Sequence, residues 1–349
     1  MNSLRTSILR CATTHDIARH VKFSLTFAPR RLLSTPASSE PTLRRSYLYV
    51  PASSDRMLEK SLTLGAPPDV VIYDLEDSAP PTIHDKKAAR QRLSQFLHQT
   101  KENLPAAERV AVRLNDISTP FFQDDAADIL RYPSVGTLVL PKIHSVRDLH
   151  YVSRTIRNLN RSSAAGLRIV ASIESARGVM GLKEIASWTS EFGADKGGEL
   201  TALLANCADT SVVRTTSKRE LLFVRSQIVI TAKAFGLEAI DMVCVNYKDP
   251  EYLREECQDG RRLGFTGKQV IHPNQVVTVN ASFVPTFHEI LRAAKILHQM
   301  NIAYSNQRGA FGLEMEGGGK EMIDAPMLKQ AENIIRLARA AGCDVPHVE

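Results

Sequence analysis

Paired cysteines are the first thing missing from this chain. Its five cysteines, Cys11, Cys207, Cys244, Cys257 and Cys343, are scattered with no Cys-x-x-Cys element. That spacing argues against a zinc cluster or a disulfide framework and fits a reducing compartment. No segment carries about 18 uninterrupted apolar residues, so no membrane-spanning helix is expected. A glycine-rich phosphate turn is also missing after the first apolar run, where "YVPASSDRM" stands instead, which weakens the case for an open dinucleotide-binding sheet. Acidic residues are almost absent from residues 1–39, where Arg5, Arg10, Arg19, Lys22, Arg30 and Arg31 face Asp16 alone. That segment holds nearly all of the formal net charge of +6. The remaining chain is close to neutral, and a basic nucleic-acid-binding surface is not indicated.

What is present begins with that segment. Residues 1–40 are rich in Arg, Ser and Thr and contain the amphipathic run "SLRTSILRCA", a composition that reads as an organelle transit peptide followed by a linker. "PRRLLSTPASS" is the expected processing region, and a disordered basic tail is the plainer alternative. The long apolar core of a secretory signal is missing, so the expected location is the mitochondrial matrix.

Beyond "STPASSEPT" short apolar runs alternate with longer amphipathic ones. The short runs are "SYLYVP", "DVVIYDLED", "RVAVRLN", "GTLVLPK", "RIVASIES", "LTALLAN", "AIDMVCVN" and "KQVIHP". Most are continuous Val/Ile/Leu runs, the mark of strands buried on both faces of a parallel sheet. Between them lie helical patterns such as "HDKKAARQRLSQFLHQ", "SVRDLHYVSRTIRNLN", "KRELLFVRSQIVITAKAFG" and "PEYLREECQDGRRLG", the last two ending on a glycine where a helix C-terminus favours one. Eight βα units in about 250 residues predict an α/β fold, a (β/α)8 TIM barrel over residues 41–300. A C-terminal arm or lid over 301–349 is not needed to close it.

In such a barrel the C-terminal strand ends build the catalytic face. The chain puts Asp74, Glu76 and Asp77 after the second run, Arg113 after the third, Lys142 after the fourth, Glu174 after the fifth and His272 after the eighth. Carboxylates clustered beside a guanidinium suit a hard cation that in turn holds an anionic substrate. Each residue also has a plainer use. Glu76 and Asp77 could cap a helix, Arg113 could pair with Glu174, Lys142 could be a solvated rim charge, and His272 before Pro273 could be a hydrogen-bonded loop residue.

At these positions the chain resembles the citrate lyase β-subunit group of the HpcH/HpaI aldolase family, and most closely its citrate lyase β-like branch of mitochondrial citramalyl-CoA lyases. The resemblance is carried by "RRSYLYVPASSDRMLEK", "VIYDLEDSAP" with the following "KKAAR", "VRLN", "LVLPKI", "IESARGVMGL", "AKAFGLEAIDMVCVNYKD", "GRRLGFTGKQVIHPNQV" and "MIDAPMLKQA". It implies a TIM barrel that binds Mg²⁺ and a CoA thioester and cleaves the bond beside the thioester carbonyl, converting citramalyl-CoA to acetyl-CoA and the 2-keto acid pyruvate. Malyl-CoA lyase, malate synthase-like and thioesterase activities stay open. By the same resemblance Glu174 is a metal ligand, and Arg113 binds substrate and the developing enolate. Tyr49, Arg56 and Lys60 contact CoA, while Ile271 and His272 line the channel. Asp324 is the acid/base carried by the arm, which in relatives reaches a neighbouring subunit of a homo-oligomer, a trimer by resemblance. Asp74 and Asp77 are supporting carboxylates.

One stretch departs from the family pattern. Relatives follow the sixth strand with a Glu-Asp pair whose Asp is the second metal ligand, whereas "LTALLAN" ends on Asn206 and runs into "CADT". Asn206 stands where that carboxylate belongs, with Asp209 assigned to the following segment. Either could complete a weakened Mg²⁺ site, since an amide oxygen is a legitimate neutral ligand. The chain could instead be a noncatalytic CoA-binding member of the family, or the stretch could reflect a gene-model error. Ala52, where relatives often carry Gly, should restrict its turn only slightly.

Overall fold

In a computed structural model of the chain, the described residues are 42–159, 166–209, 212–305, 311–314 and 320–348. The chain divides into two units, Met1–Ser39 and Glu40–Glu349. The first, with the expected transit peptide and Cys11, lies outside the described residues.

The second unit contains a closed barrel of eight parallel strands in sequential order. They are β1 (Ser46–Pro51), β2 (Val70–Asp74), β3 (Val110–Arg113), β4 (Thr137–Leu140), β5 (Arg168–Ser175), β6 (Glu199–Asp209), β7 (Glu238–Asp241) and β8 (Gly267–Val270). This is the expected TIM barrel. Its helices are α1 (Asp55–Ser61), α2 (Ile83–Gln99), α3 (Phe121–Ile129), α4 (Val146–Asn158), α5 (Ala176–Met180), α6 (Leu182–Ala186), α7 (Ala194–Gly197), α8 (Leu222–Ala234), α9 (Pro250–Leu263) and α10 (Gln275–Ser282). The barrel closes where β1 pairs β8, Tyr47 opposite Gln269. Gly267 permits that seam, because a Cβ there would lie 2.5 Å from the Arg44 carbonyl oxygen.

Strand periodicity sorts the side chains. Tyr47, Val70, Ile72, Ala111, Val139, Val170, Ala202, Leu204 and Ile240 fill the barrel interior, with Tyr49 packed against them. Their neighbours Leu48, Val71, Val112, Leu138, Ile169 and Leu203 face the helices in the larger outer core. Truncating one of these fully buried Leu or Ile residues to Ala would cost about 2–5 kcal/mol. The inward parity continues up the strands to Asp74, Arg113 and Glu174, which puts charged groups at the mouth.

Two findings correct the sequence reading. β6 does not stop at Asn206. Its backbone runs on to Asp209, and the register against β5 shifts, so that Ala205 faces Ile173 but Asp209 faces Ser175. Of "AIDMVCVN" only the first three residues are strand, in a β7 that begins one residue earlier, at Glu238. The boundary expected between residues 300 and 301 falls within a helix. Helix α11 (Phe287–Ser305) packs on α12 (Ala325–Ala340) and on a hairpin of β9 (Phe311–Glu314) and β10 (Lys320–Ile323). Ile290, Ala293, Ile296 and Met300 share a separate small core there with Leu313, Ile323 and Ile335. Cys244, Cys257 and Cys343 are free, and the first two are buried. Burial pushes the Cys257 thiol up to about 12, so it stays protonated. No helix among them is long and apolar enough to cross a membrane.

Candidate active site

The mouth is assembled from strand ends locked by their own turns. Asp74, the last residue of β2, has its backbone carbonyl bonded by Ala52 N and by the Ser78 hydroxyl, while its Oδ1 accepts from Glu76 N at 2.9 Å. Its carboxylate grips Arg113 bidentately, with Nε and Nη2 each at 2.7 Å. The third guanidinium nitrogen, Nη1, lies 2.9 Å from both Glu76 and Asp77. Asp77 is exposed, with 74% of its side chain accessible, so that edge of Arg113 can exchange partners while Asp74 holds the rest in place. Tyr49 lies under the guanidinium, 4.7 Å from ring centroid to Cζ, a favourable cation–π arrangement. Its hydroxyl donates to Gln269 at 3.1 Å.

Glu76 bridges the cluster, since its other oxygen lies 3.2 Å from Lys142 Nζ. Lys142 follows Pro141 with φ of 50°, a left-handed conformation uncommon for a residue with a side chain and typical of functional rims. Burial pushes the Glu76 carboxyl up to about 7, with Asp77 and Glu174 adding to the push and Arg113 and Lys142 opposing it. Behind it Lys86 is buried and donates to the carbonyls of Leu75 and Glu76. These loops border a cavity of about 500 Å³ that includes Asn115, Asp116 and Phe121.

Glu174 is the penultimate residue of β5, just before Ser175. Ser175 caps α5 by accepting from Gly178 N at 3.1 Å and is held by His144 Nδ1 at 2.7 Å. A Cβ on Gly178 would meet the Ile143 carbonyl at 2.7 Å, so this turn requires the glycine of "ESARG". Glu174 is only 5% exposed, and its charge acts on Tyr49, Glu76 and Lys142. Among the described residues no cation pairs with it, and the Arg113–Glu174 ion pair weighed from sequence does not form; Arg113 is taken by Asp74, Glu76 and Asp77.

The mouth therefore gathers four carboxylates, Asp74, Glu76, Asp77 and Glu174, around two cations, Arg113 and Lys142. A buried carboxylate without a partner, in oxygen-rich surroundings short of positive charge, is the donor chemistry that suits a hard divalent ion. Among the described residues, no three His, Cys, Asp or Glu side chains form a ready metal cluster. Asn206 is half-buried at the level of Glu174 and continues the inward parity of Ala202 and Leu204. The Asp209 backbone stands opposite Ser175, and its side chain, like that of Cys207, lies outside the described residues.

The remaining expected residues separate into two places. Tyr49, Lys60, Ile271 and His272 line one groove of about 210 Å³ together with Met57, Leu64 and Pro273. Arg56 is exposed beside it on α1. His272 stacks on Tyr247, with centroids 4.8 Å apart at 18°, and its Nδ1 accepts from Asn274 N at 3.2 Å. Asp324 sits apart on the arm. It is the N-cap of α12, accepting from Met327 N at 3.2 Å. Residues that sequence reasoning missed include Gln269, whose amide donates to the carbonyls of Ala205 (2.8 Å) and Asp241 (3.2 Å). A polar residue amid the apolar run "KQVIHP" was the available signal. Lys86 stands in "KKAAR", one of the stretches that carry the resemblance, but the helical pattern there gives it no role at the mouth.

Fold and site together define a TIM-barrel protein with an acid-rich mouth and an adjoining groove. The HpcH/HpaI aldolase/citrate lyase family model matches residues 45–273, and the chain belongs to that family. It is 32% identical to the mitochondrial citramalyl-CoA lyase of Rattus norvegicus, over 84% of this chain and 86% of the relative. It is also 32% identical to a (3S)-malyl-CoA thioesterase of Cereibacter sphaeroides, over 70% and 79%. Among solved structures, the CitE protein of Mycobacterium tuberculosis in complex with magnesium, acetoacetate and coenzyme A is similar at 28% identity. Its TM-score is 0.62, and the match covers 86% of this chain and 98% of that one.

Proposed function

We propose that this chain is a Mg²⁺-dependent carbon–carbon lyase that cleaves a 3-hydroxyacyl-CoA, with citramalyl-CoA as substrate and acetyl-CoA and pyruvate as products. The observation that carries the reading is Glu174, a buried carboxylate beside the Arg113 cluster that has no cation partner among the described residues. The relatives' names support the substrate class. Magnesium held at Glu174 and the β6 tip would supply Lewis-acid charge for the substrate's carboxylate and hydroxyl oxygens.

The chain's own residues do the rest. The groove of Tyr49, Lys60, Ile271 and His272, with Arg56 at its edge, takes the CoA portion, the lysine and arginine facing its phosphates. Arg113, steadied by Asp74 and stacked on Tyr49, turns its Nη1 edge from Asp77 to the thioester oxygen. There it stabilises the enolate left when the bond between C2 and C3 breaks, an oxyanion-type role. A base takes the 3-hydroxyl proton in that step, and reprotonation of the enolate carbon gives acetyl-CoA. Asp324 is assigned this acid/base work. Because it caps α12 on the arm, the reading includes a homo-oligomer, a trimer, in which a neighbouring arm closes the mouth. Mixing inactive Arg113→Ala and Asp324→Ala chains should then restore activity, and unmixed behaviour would contradict the shared site. The basic leading segment and the mitochondrial relatives support import into the mitochondrial matrix.

A second reading rests on Asn206. A neutral amide at the β6 tip, with no ready three-carboxylate cluster among the described residues, favours a CoA-binding family member without lyase activity. Coupled detection of pyruvate from citramalyl-CoA across a Mg²⁺ titration separates the two. Pyruvate release that saturates with Mg²⁺ is expected. Thioester binding without turnover at any Mg²⁺ concentration would establish the second reading, and free thiol release without keto acid would indicate a thioesterase.

A further inference from the structure

A second buried charge network lies between the barrel and its helices, and the mouth chemistry does not use it. Glu256 on α9 is 2% exposed. Its Oε1 lies 2.8 Å from Lys218 Nζ and 3.1 Å from Arg214 Nη2, and its Oε2 lies 3.2 Å from Lys268 Nζ. Lys268 on β8 also donates to the Met242 carbonyl at 2.7 Å and lies 3.5 Å from Asp241. Asp241 is held bidentately by Arg225 at 3.1 and 2.9 Å, and Arg225 reaches Asp259 at 2.6 Å. Burial alone would raise the Glu256 carboxyl, but Lys268, Lys218 and Arg214 override it and hold the group at about 2.

Cohesion does not explain this arrangement, because apolar side chains of similar volume commonly bind two elements as well as or better than a buried ionic network. Directional contacts to one segment do. Arg214 and Lys218 both belong to the loop between β6 and α8. Arg214 also donates to the Val243 carbonyl at 3.0 Å. Lys218 is held in the left-handed region with φ of 51° while largely buried, its Nζ 5.6 Å from the Tyr252 ring centroid. A strained residue with a side chain persists where its surroundings over-determine it. The same loop is stapled within itself by Glu220, which accepts from Thr215 N at 2.6 Å and from its hydroxyl at 2.8 Å.

This loop is the continuation of the β6 tip. Arg214 follows Asp209 by five residues, a reach of at most about 18 Å. Before the tip, Gln269 on the inner face of β8 grips the Ala205 carbonyl. After it, Lys268 on the outer face of the same strand holds Glu256, which holds Arg214 and Lys218. Adjacent residues of β8 thus tether β6 on either side of Asn206–Asp209.

We infer that Glu256 is a positioning residue that anchors the β6–α8 loop through Arg214 and Lys218, and through that loop sets the affinity of the barrel mouth for a divalent cation. The second half rests on the reading of the mouth given above. Supporting groups outside the ligand shell are typically worth about 10- to 100-fold in metal affinity.

The test uses the full chain as Glu256→Gln and Arg214→Gln, the latter leaving the Lys268–Glu256 pair intact should the former fold poorly. Asp259→Asn serves as a control that weakens the same network away from the loop. Tryptic cleavage after Lys218 or Arg219, well below the unfolding temperature, should speed up at least about tenfold in the first two variants and not in the control. Mn²⁺ affinity, read by electron paramagnetic resonance, should fall by about tenfold or more in the same two, with CoA binding unchanged and Glu256→Asp recovering part of the loss. Unchanged cleavage rates would overturn the anchor. Equal losses of Mn²⁺ affinity in Asp259→Asn would overturn the link to the mouth and leave a purely structural network. If the unmutated chain binds no Mn²⁺, the lyase reading and that link both fall, while the tryptic pattern still decides the anchor.

Discussion

The barrel contains two buried charge clusters of opposite character. At the mouth, four carboxylates surround Arg113 and Lys142, and burial pushes Glu76 up to about 7. On the outer side of β7 and β8, Arg214, Lys218, Lys268 and Arg225 surround Glu256, Asp241 and Asp259, and Glu256 is held at about 2. In the outer cluster every carboxylate lies within ion-pair distance of a cation, and the cations slightly outnumber the anions. The mouth is short of positive charge and keeps Glu174 without a cation among the described residues. Cohesion alone does not call for that shortfall, because an unpaired buried charge destabilises the fold. A site that receives its missing charge with a ligand does.

Four substitutions or titrations sharpen or break that contrast. Glu174→Gln should lower kcat/KM for citramalyl-CoA by about 10³-fold or more, while the metal-free variant gains rather than loses stability to urea, since a buried unpaired charge is removed. Loss of stability together with retained activity would place Glu174 in the structural class. Glu256→Gln should do the reverse for the fold, costing about 3–5 kcal/mol in urea unfolding because Arg214, Lys218 and Lys268 lose their shared anion.

The two clusters should also respond to pH with opposite signs. Glu76 has a folded value near 7, above its ordinary 4.5, so its contribution to stability is full below about 4.5 and is lost as pH rises through 7. Glu256, depressed to about 2, contributes fully above about 4.5 and loses that contribution as pH falls toward 2. Each amounts to about 3 kcal/mol. Urea melts of the metal-free chain against Glu76→Gln and Glu256→Gln across pH 3–8 should show difference curves of opposite slope, and parallel curves would remove the distinction. The smallest expected effect is that of Tyr49→Phe, which loses the bond to Gln269 at a cost of about 1 kcal/mol and keeps the ring under Arg113. A large drop in stability would mean that the hydroxyl does more than this pairing.

Much of the architecture was legible because parallel barrel strands are continuous apolar runs that end in a change of chemistry. "VVIYD", "VAVR" and "RIVASIES" fixed where Asp74, Arg113 and Glu174 would stand, and alternation fixed that they point inward. The β6 tip was not legible. Whether "NCAD" continues a strand depends on its register against β5, a long-range pairing that leaves no local pattern, so Asp209 was assigned to the next segment. Arg113's choice of Asp74 over Glu174 is likewise a matter of tertiary distance. Lys86 and Lys87 are indistinguishable as sequence, yet one is buried and the other exposed. The Glu256 cluster joins four elements across more than fifty residues, and "YLREECQDGRR" looks like an ordinary solvated helix face. Helix α11 carries the apolar periodicity of a barrel helix, and only its partners assign it to the arm.

The claim on which the rest depends is that the mouth's missing charge is supplied by a divalent ion at Glu174. Calorimetric titration of the full chain with Mg²⁺, beside Glu174→Gln, tests it directly. The account predicts one saturable site per chain that disappears in the variant. Equal binding by both proteins, or binding by neither, would contradict it.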